Sequence, residues 1–101
     1  LGFTHGHWGT YFDPPLDRNG GRAAGTGYLP DHLTDQAIAF VRANRGRPFF
    51  CYLPLNTPHS PMQVPDAYWD RFKAAELTDR YPGPEKEDVP HARAALAMVE
   101  N

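Results

Sequence analysis

The chain has 101 residues, of which 41% are apolar and 22% charged, with a formal net charge of −2. These values fit one small globular domain and exclude a disordered polar tail. Ten Lys and Arg against twelve Asp and Glu leave no basic surplus for nucleic acid or an anionic membrane surface. No apolar run approaches the roughly 18 residues of a membrane span, and no signal-peptide pattern is present. Cys51 is the single cysteine, so an internal disulfide is excluded. Leu1 is not a start Met, and Asn101 follows a helical pattern with no Gly or Pro stop. The chain therefore reads as an internal fragment of a larger protein.

Residues 1–28 form a Gly-rich region with Phe3, Trp8, Tyr11 and Phe12 interleaved. Asp13-Pro14-Pro15 ends any strand at Tyr11-Phe12, and Asn19-Gly20 predicts a tight turn inside a hairpin around Leu16 to Ala23. His5 and His7, two apart on an extended segment, point the same way and could share a metal or touch a substrate. No Cys or carboxylate at finger spacing joins them, so the plainer reading is a loop packed on aromatics.

Residues 29–61 carry the clearest signals. Leu33, Ala37, Phe40, Val41 and Asn44 recur at helical spacing, which predicts a helix near Pro30 to Asn44. Asp31 and Asp35 suit its positive end, and Arg42 and Arg45 its negative end. Gly46 and Pro48 stop it. Phe49 to Leu53 is then a short unbroken apolar run bounded by prolines, which predicts a strand covered on both faces, as in a parallel sheet. Cys51 lies within it and reads as an inert buried thiol. Pro54 and Pro58 end the pairing and leave His59 just past the strand's carboxyl end, where open α/β sheets bind ligands. On these residues alone, His59 reads either as structural or as a ligand contact.

Residues 62–101 open with an extended connector. A short helix follows from Pro65 or Asp66, carrying Tyr68, Trp69 and Phe72. Asp79 to Pro90 is polar and reads as a solvated loop. Pro90 opens a last helix with Ala92, Ala95, Leu96 and Val99 as its apolar face. His32 and His91 read as solvated or capping residues.

The run Pro48-Phe49-Phe50-x-Tyr52-Leu53-Pro54-x-Asn56-x-Pro58-His59-x-Pro61 resembles the central segment of the sulfatase (arylsulfatase-type) family, within the alkaline phosphatase superfamily. Tyr28-Leu29-Pro30-Asp31-x-Leu33-Thr34-Asp35-x-Ala37-Ile38-x-Phe40 is similar to the helix before it. Val64-Pro65-Asp66-x-Tyr68 and Ala97-Met98-Val99-Glu100-Asn101 are similar to the segments after it. The resemblance covers residues 28–101 in order and spacing.

It implies an α/β fold: part of an alkaline-phosphatase-like sandwich with a mainly parallel central sheet flanked by helices. Residues 1–101 would be an internal fragment of one catalytic domain, and the remainder of that domain its partner. The parent would hydrolyse sulfate monoesters of small molecules or glycans with a formylglycine nucleophile and a divalent cation, usually calcium. His59 matches the family's histidine at the sulfate and leaving oxygen, so it is the catalytic and substrate-binding candidate. His5 and His7 are weaker substrate candidates. No metal ligand is expected in this chain. The formylglycine motif Cys/Ser-x-Pro/Ala-x-Arg is also missing, because Cys51 is followed by Tyr52-Leu53-Pro54-Leu55. The fragment alone is therefore expected to be inactive. A periplasmic, secreted or lysosomal location follows from the resemblance only. The alternatives are a phosphonate or phosphodiester hydrolase of the same superfamily, or a small non-catalytic binding module that folds alone.

Overall fold

The computed structural model describes residues 2–3, 9–78 and 88–101. The described residues make a mixed α/β chain of three short strands followed by three helices. They divide into two units, Leu1–Asn56 and Thr57–Asn101.

The first unit opens with β1 (Gly2–Phe3), β2 (Pro15–Arg18) and β3 (Gly21–Ala24), in the order β1-β2-β3. Gly2 lies opposite Asp17, and Arg18 opposite Gly21. The predicted hairpin is thus β2–β3. Its turn residues Asn19 (φ 55°) and Gly20 (φ 83°) both have positive φ, the combination that twists two strands into register and that Asn-Gly adopts at low cost. Every described strand pairing is antiparallel.

The chain then crosses back on itself. Phe12 bridges Tyr28, the Asp13 amide donates to the Gly27 carbonyl at 2.9 Å, and the Leu29 amide donates to the Tyr11 carbonyl at 2.7 Å. These bonds satisfy the backbone of two Gly- and Pro-rich segments that no regular element would satisfy. Tyr11, Pro14, Leu16, Tyr28, Leu29 and Leu33 form the core around them. The Tyr11 and Tyr28 rings lie 5.9 Å apart, and Phe12 caps Tyr28 at 5.3 Å. Gly25 is buried against Pro14: a Cβ there would meet the proline ring at 2.8 Å.

Helix α1 (Leu29–Asn44) has Pro30 in its first turn, Asp31 near its start and Arg42 in its last turn, as the dipole favours. Its first half buries Leu29 and Leu33. Its second half keeps Ile38, Phe40 and Val41 partly exposed, although they continue the same stripe.

The segment expected to be a buried strand differs. Residues 48–56 form no regular element and pair with no strand of the described sheet. Phe50 is 85% and Tyr52 76% exposed, with Phe49, Leu53 and Leu55 partly so. Cys51 is exposed rather than buried. The reason is supply of neighbours. A strand covered on both faces needs a flanking strand on each side and a layer above and below. Within its unit Phe40 meets it, edge-on to Phe49 at 5.8 Å.

The second unit holds α2 (Asp66–Phe72) and α3 (Val89–Glu100), which pack on each other. Arg71 of α2 pairs with Glu100 of α3 and lies over the Tyr68 ring at 5.5 Å. Asp88 caps α3, accepting from the His91 amide at 3.1 Å, with the His91 Nδ1 2.6 Å from its other oxygen. The buried face of α3 is Ala94, Ala97 and Met98, not the expected Ala92, Ala95, Leu96 and Val99. The helix is apolar on two sides, and the heavier Met98 goes inward. The other side lines an open groove of about 550 Å³ with Glu76, Leu77 and Thr78. The polar loop expected over Asp79 to Pro90 lies outside the described residues up to 87.

Candidate active-site segment

His59 sits in a loop whose backbone the prolines dominate. The Thr57–Pro58 and Ser60–Pro61 peptide bonds are both cis, and the Gln63 amide donates to the Pro61 carbonyl at 2.7 Å. The His59 side chain is exposed, and its Nδ1 lies 2.7 Å from the Ser60 carbonyl oxygen. A carbonyl oxygen only accepts, so Nδ1 carries a proton and donates in this bond. A ring held this way can offer Nε2–H to an anionic oxygen when charged, and accept there when neutral.

The segment leading to this loop is fixed at both ends within the first unit. At its start, Asn44 Oδ1 accepts from Arg47 Nε at 3.0 Å and from Arg47 Nη2 at 2.6 Å, while Asn44 Nδ2 donates to the Phe40 carbonyl at 2.8 Å. Asn44 is buried, and these bonds use both ends of its amide. At the segment's end, Tyr11 Oη donates to the Asn56 carbonyl at 3.1 Å. Burial pushes the Tyr11 phenol above its ordinary value. Tyr28 is pushed up further, by burial first, then by Tyr11 and Asp31 beside it. Both phenols keep their protons across the physiological range, so Tyr11 remains a donor. Neither Tyr11 nor Asn44 stood out in the sequence as a functional residue. The bond to Asn56 joins residues 45 apart, which local pattern does not reveal. Asn44, an amide on an otherwise apolar stripe, was the available signal.

The other candidates disperse. His5 and His7 lie outside the described residues. His32 accepts from the Thr26 amide at 3.4 Å and serves the loop before α1, and His91 serves the α3 cap. Asp31 and Asp35 are exposed on α1. Among the described residues no three His, Cys, Asp or Glu side chains gather in a way that could hold a metal ion. The described residues therefore form no cation site of their own.

Residues 3–94 match the family model described as Sulfatase. The chain is also 38% identical over 86 residues to the "Uncharacterized sulfatase YdeN" of Escherichia coli. That match covers 80% of this chain and 15% of the relative, so the chain spans a small part of the relative's length. No solved structure matches. The chain belongs to the sulfatase family.

Proposed function

We propose that this chain is one segment of the catalytic domain of a sulfuric ester hydrolase, and that His59 contacts the sulfate and its leaving oxygen. The observation that supports this most is the His59 loop itself. Within a chain matched to the family over residues 3–94, the ring is exposed, and its Nδ1 is engaged by the Ser60 carbonyl, which fixes the ring's orientation. Charge that grows on a leaving oxygen is met by a fixed Nε2–H donor, and the proton can follow it. One donor of this kind contributes on the order of 3 kcal/mol to the barrier.

In this reading residues 48–55 become an inner strand of a mainly parallel sheet in an alkaline-phosphatase-like sandwich, covered by strands that other parts of the domain supply. Residues 1–28, 29–61 and 62–101 are then successive parts of that one domain. The formylglycine nucleophile and the divalent cation, calcium in most of the family, are held by other segments, and in the intact enzyme they supply the attack on sulfur and the neutralisation of sulfate charge. Substrates are sulfated small molecules or glycans, and the enzyme works in an exported compartment, periplasmic, secreted or lysosomal.

The test uses the full-length protein that carries this segment. We expect a kcat/KM for 4-nitrophenyl sulfate well above that for bis(4-nitrophenyl) phosphate. A reversed ratio assigns the protein to the phosphodiester hydrolases of the superfamily and overturns the sulfatase reading. Turnover of aryl sulfate by the 101 residues alone overturns the segment reading.

A further inference from the structure

We propose that the first unit is a preformed frame that holds residues 48–55 by their two ends and presents them, unpaired, for insertion between strands from the rest of the domain. This rests on the inner-strand reading given above. Both anchors lie just outside the stretch. Before it, Asn44 Oδ1 accepts from Arg47 Nε at 3.0 Å and from Arg47 Nη2 at 2.6 Å, and the Arg47 amide donates to the Asn44 carbonyl at 3.0 Å. After it, the Tyr11 hydroxyl donates to the Asn56 carbonyl at 3.1 Å. Asn44 and Tyr11 are both buried, so each anchor ends on a residue that the local core holds. Between the anchors, among the described residues, no backbone hydrogen bond engages residues 48–55. The frame therefore occupies none of the groups a sheet needs. The amides of Phe49 to Leu53 and of Leu55, and the carbonyls between the anchors, stay open to flanking strands.

The consequence is kinetic. A segment free at both ends loses the conformational freedom of its whole length when it enters a sheet. Fixing its ends beforehand takes part of that loss out of the docking step. It also fixes the register, and a slip of one residue would turn every side chain to the wrong face. Pairing between strands distant in sequence is the slow part of folding. The anchors therefore act on the rate at which the sheet closes around residues 48–55, while the rings of Phe50 and Tyr52 are covered only once it has closed.

The experiment follows refolding and unfolding of the full-length protein in urea by tryptophan fluorescence, a readout that does not depend on turnover. Tyr11→Phe removes one anchor and Arg47→Ala the other. Each should slow refolding about fivefold, the size of one net hydrogen bond expressed as a rate, and change the unfolding rate by less than about twofold. Phe50→Ala should raise the unfolding rate by about two decades and change refolding by less than about twofold. Refolding of either anchor variant at the unmutated rate overturns the proposal. So does an anchor variant whose whole effect is faster unfolding, since its bond then forms after the sheet closes. Where Tyr11→Phe fails to fold at all, Arg47→Ala decides by the same criterion. Failure of the inner-strand reading shows separately: Phe50→Ala would then leave both rates unchanged, and the framing role falls with that reading.

Discussion

Two stretches of this chain are about equally aromatic and end up in opposite environments. Tyr11, Phe12 and Tyr28 sit in or against a closed core with Leu16, Leu29 and Leu33. Phe49, Phe50 and Tyr52 stand exposed on a segment that joins no described strand. Hydrophobicity does not separate them, but the origin of their partners does. The first stretch closes on segments of the same unit through a type I′ hairpin and three cross-chain backbone bonds between 2.7 and 2.9 Å. The second has the composition of an inner strand, and among the described residues no strand pairs with it; Phe40 meets Phe49 edge-on. A core made of local contacts can form within a segment, whereas a parallel sheet needs strands brought from elsewhere.

The largest expected effect breaks the comparison directly. Phe50→Ala in the full-length domain should cost about 3–5 kcal/mol in urea unfolding if the run is an inner strand there. A cost below about 0.5 kcal/mol means the ring stays exposed, and the proposed sheet is wrong. Leu29→Ala should cost about 2–5 kcal/mol in the same assay, because the side chain is buried within its own segment. In the 101-residue chain alone, amide exchange should be slower at Leu29 than at Phe50, and equal rates would erase the contrast.

Gly25→Ala sharpens the account of the local core. The added methyl meets the rigid Pro14 ring at 2.8 Å, so the crossing must open. We expect a loss of about 1–3 kcal/mol, and a neutral result would show that the two segments separate easily.

Alkaline pH probes the same core. The Tyr28 phenol is raised in the fold by burial, then by Tyr11 and Asp31. Its contribution is complete below the unfolded value of about 10 and is lost as pH rises through the folded value. The urea midpoint should therefore fall above about pH 10, and Tyr28→Phe should flatten that fall. The smallest effect is at the α3 cap. Asp88 is lowered by the His91 amide bond, opposed by desolvation, with the His91 side chain adding to the lowering. Its contribution is present above the ordinary value of 3.8 and fades as pH drops below it. Asp88→Ala should remove that acid dependence, and a dependence that persists would assign it to other carboxylates.

The parts legible in the sequence are those set by neighbours in the chain. Asn19-Gly20 gave the hairpin turn, and the Leu33 to Asn44 spacing gave α1. Pro65-Asp66 and Pro90 gave the starts of α2 and α3 to within a residue. The orientation of α3 was not legible, because Ala92, Ala95, Leu96, Val99 and Ala94, Ala97, Met98 are both apolar stripes, and only packing against α2 chooses between them. The site divides in the same way. His59 was visible from the prolines around it, while the Tyr11 bond to the Asn56 carbonyl depends on a fold-dependent contact between residues 45 apart.

The most direct test of the central claim is the kcat of His59→Ala against the unmutated full-length enzyme on 4-nitrophenyl sulfate. The account predicts a loss of about two decades, the effect of removing one donor to the developing charge. An active enzyme whose kcat is unchanged by His59→Ala would show that the exposed ring does not touch the reacting sulfate, and would contradict the role assigned to it.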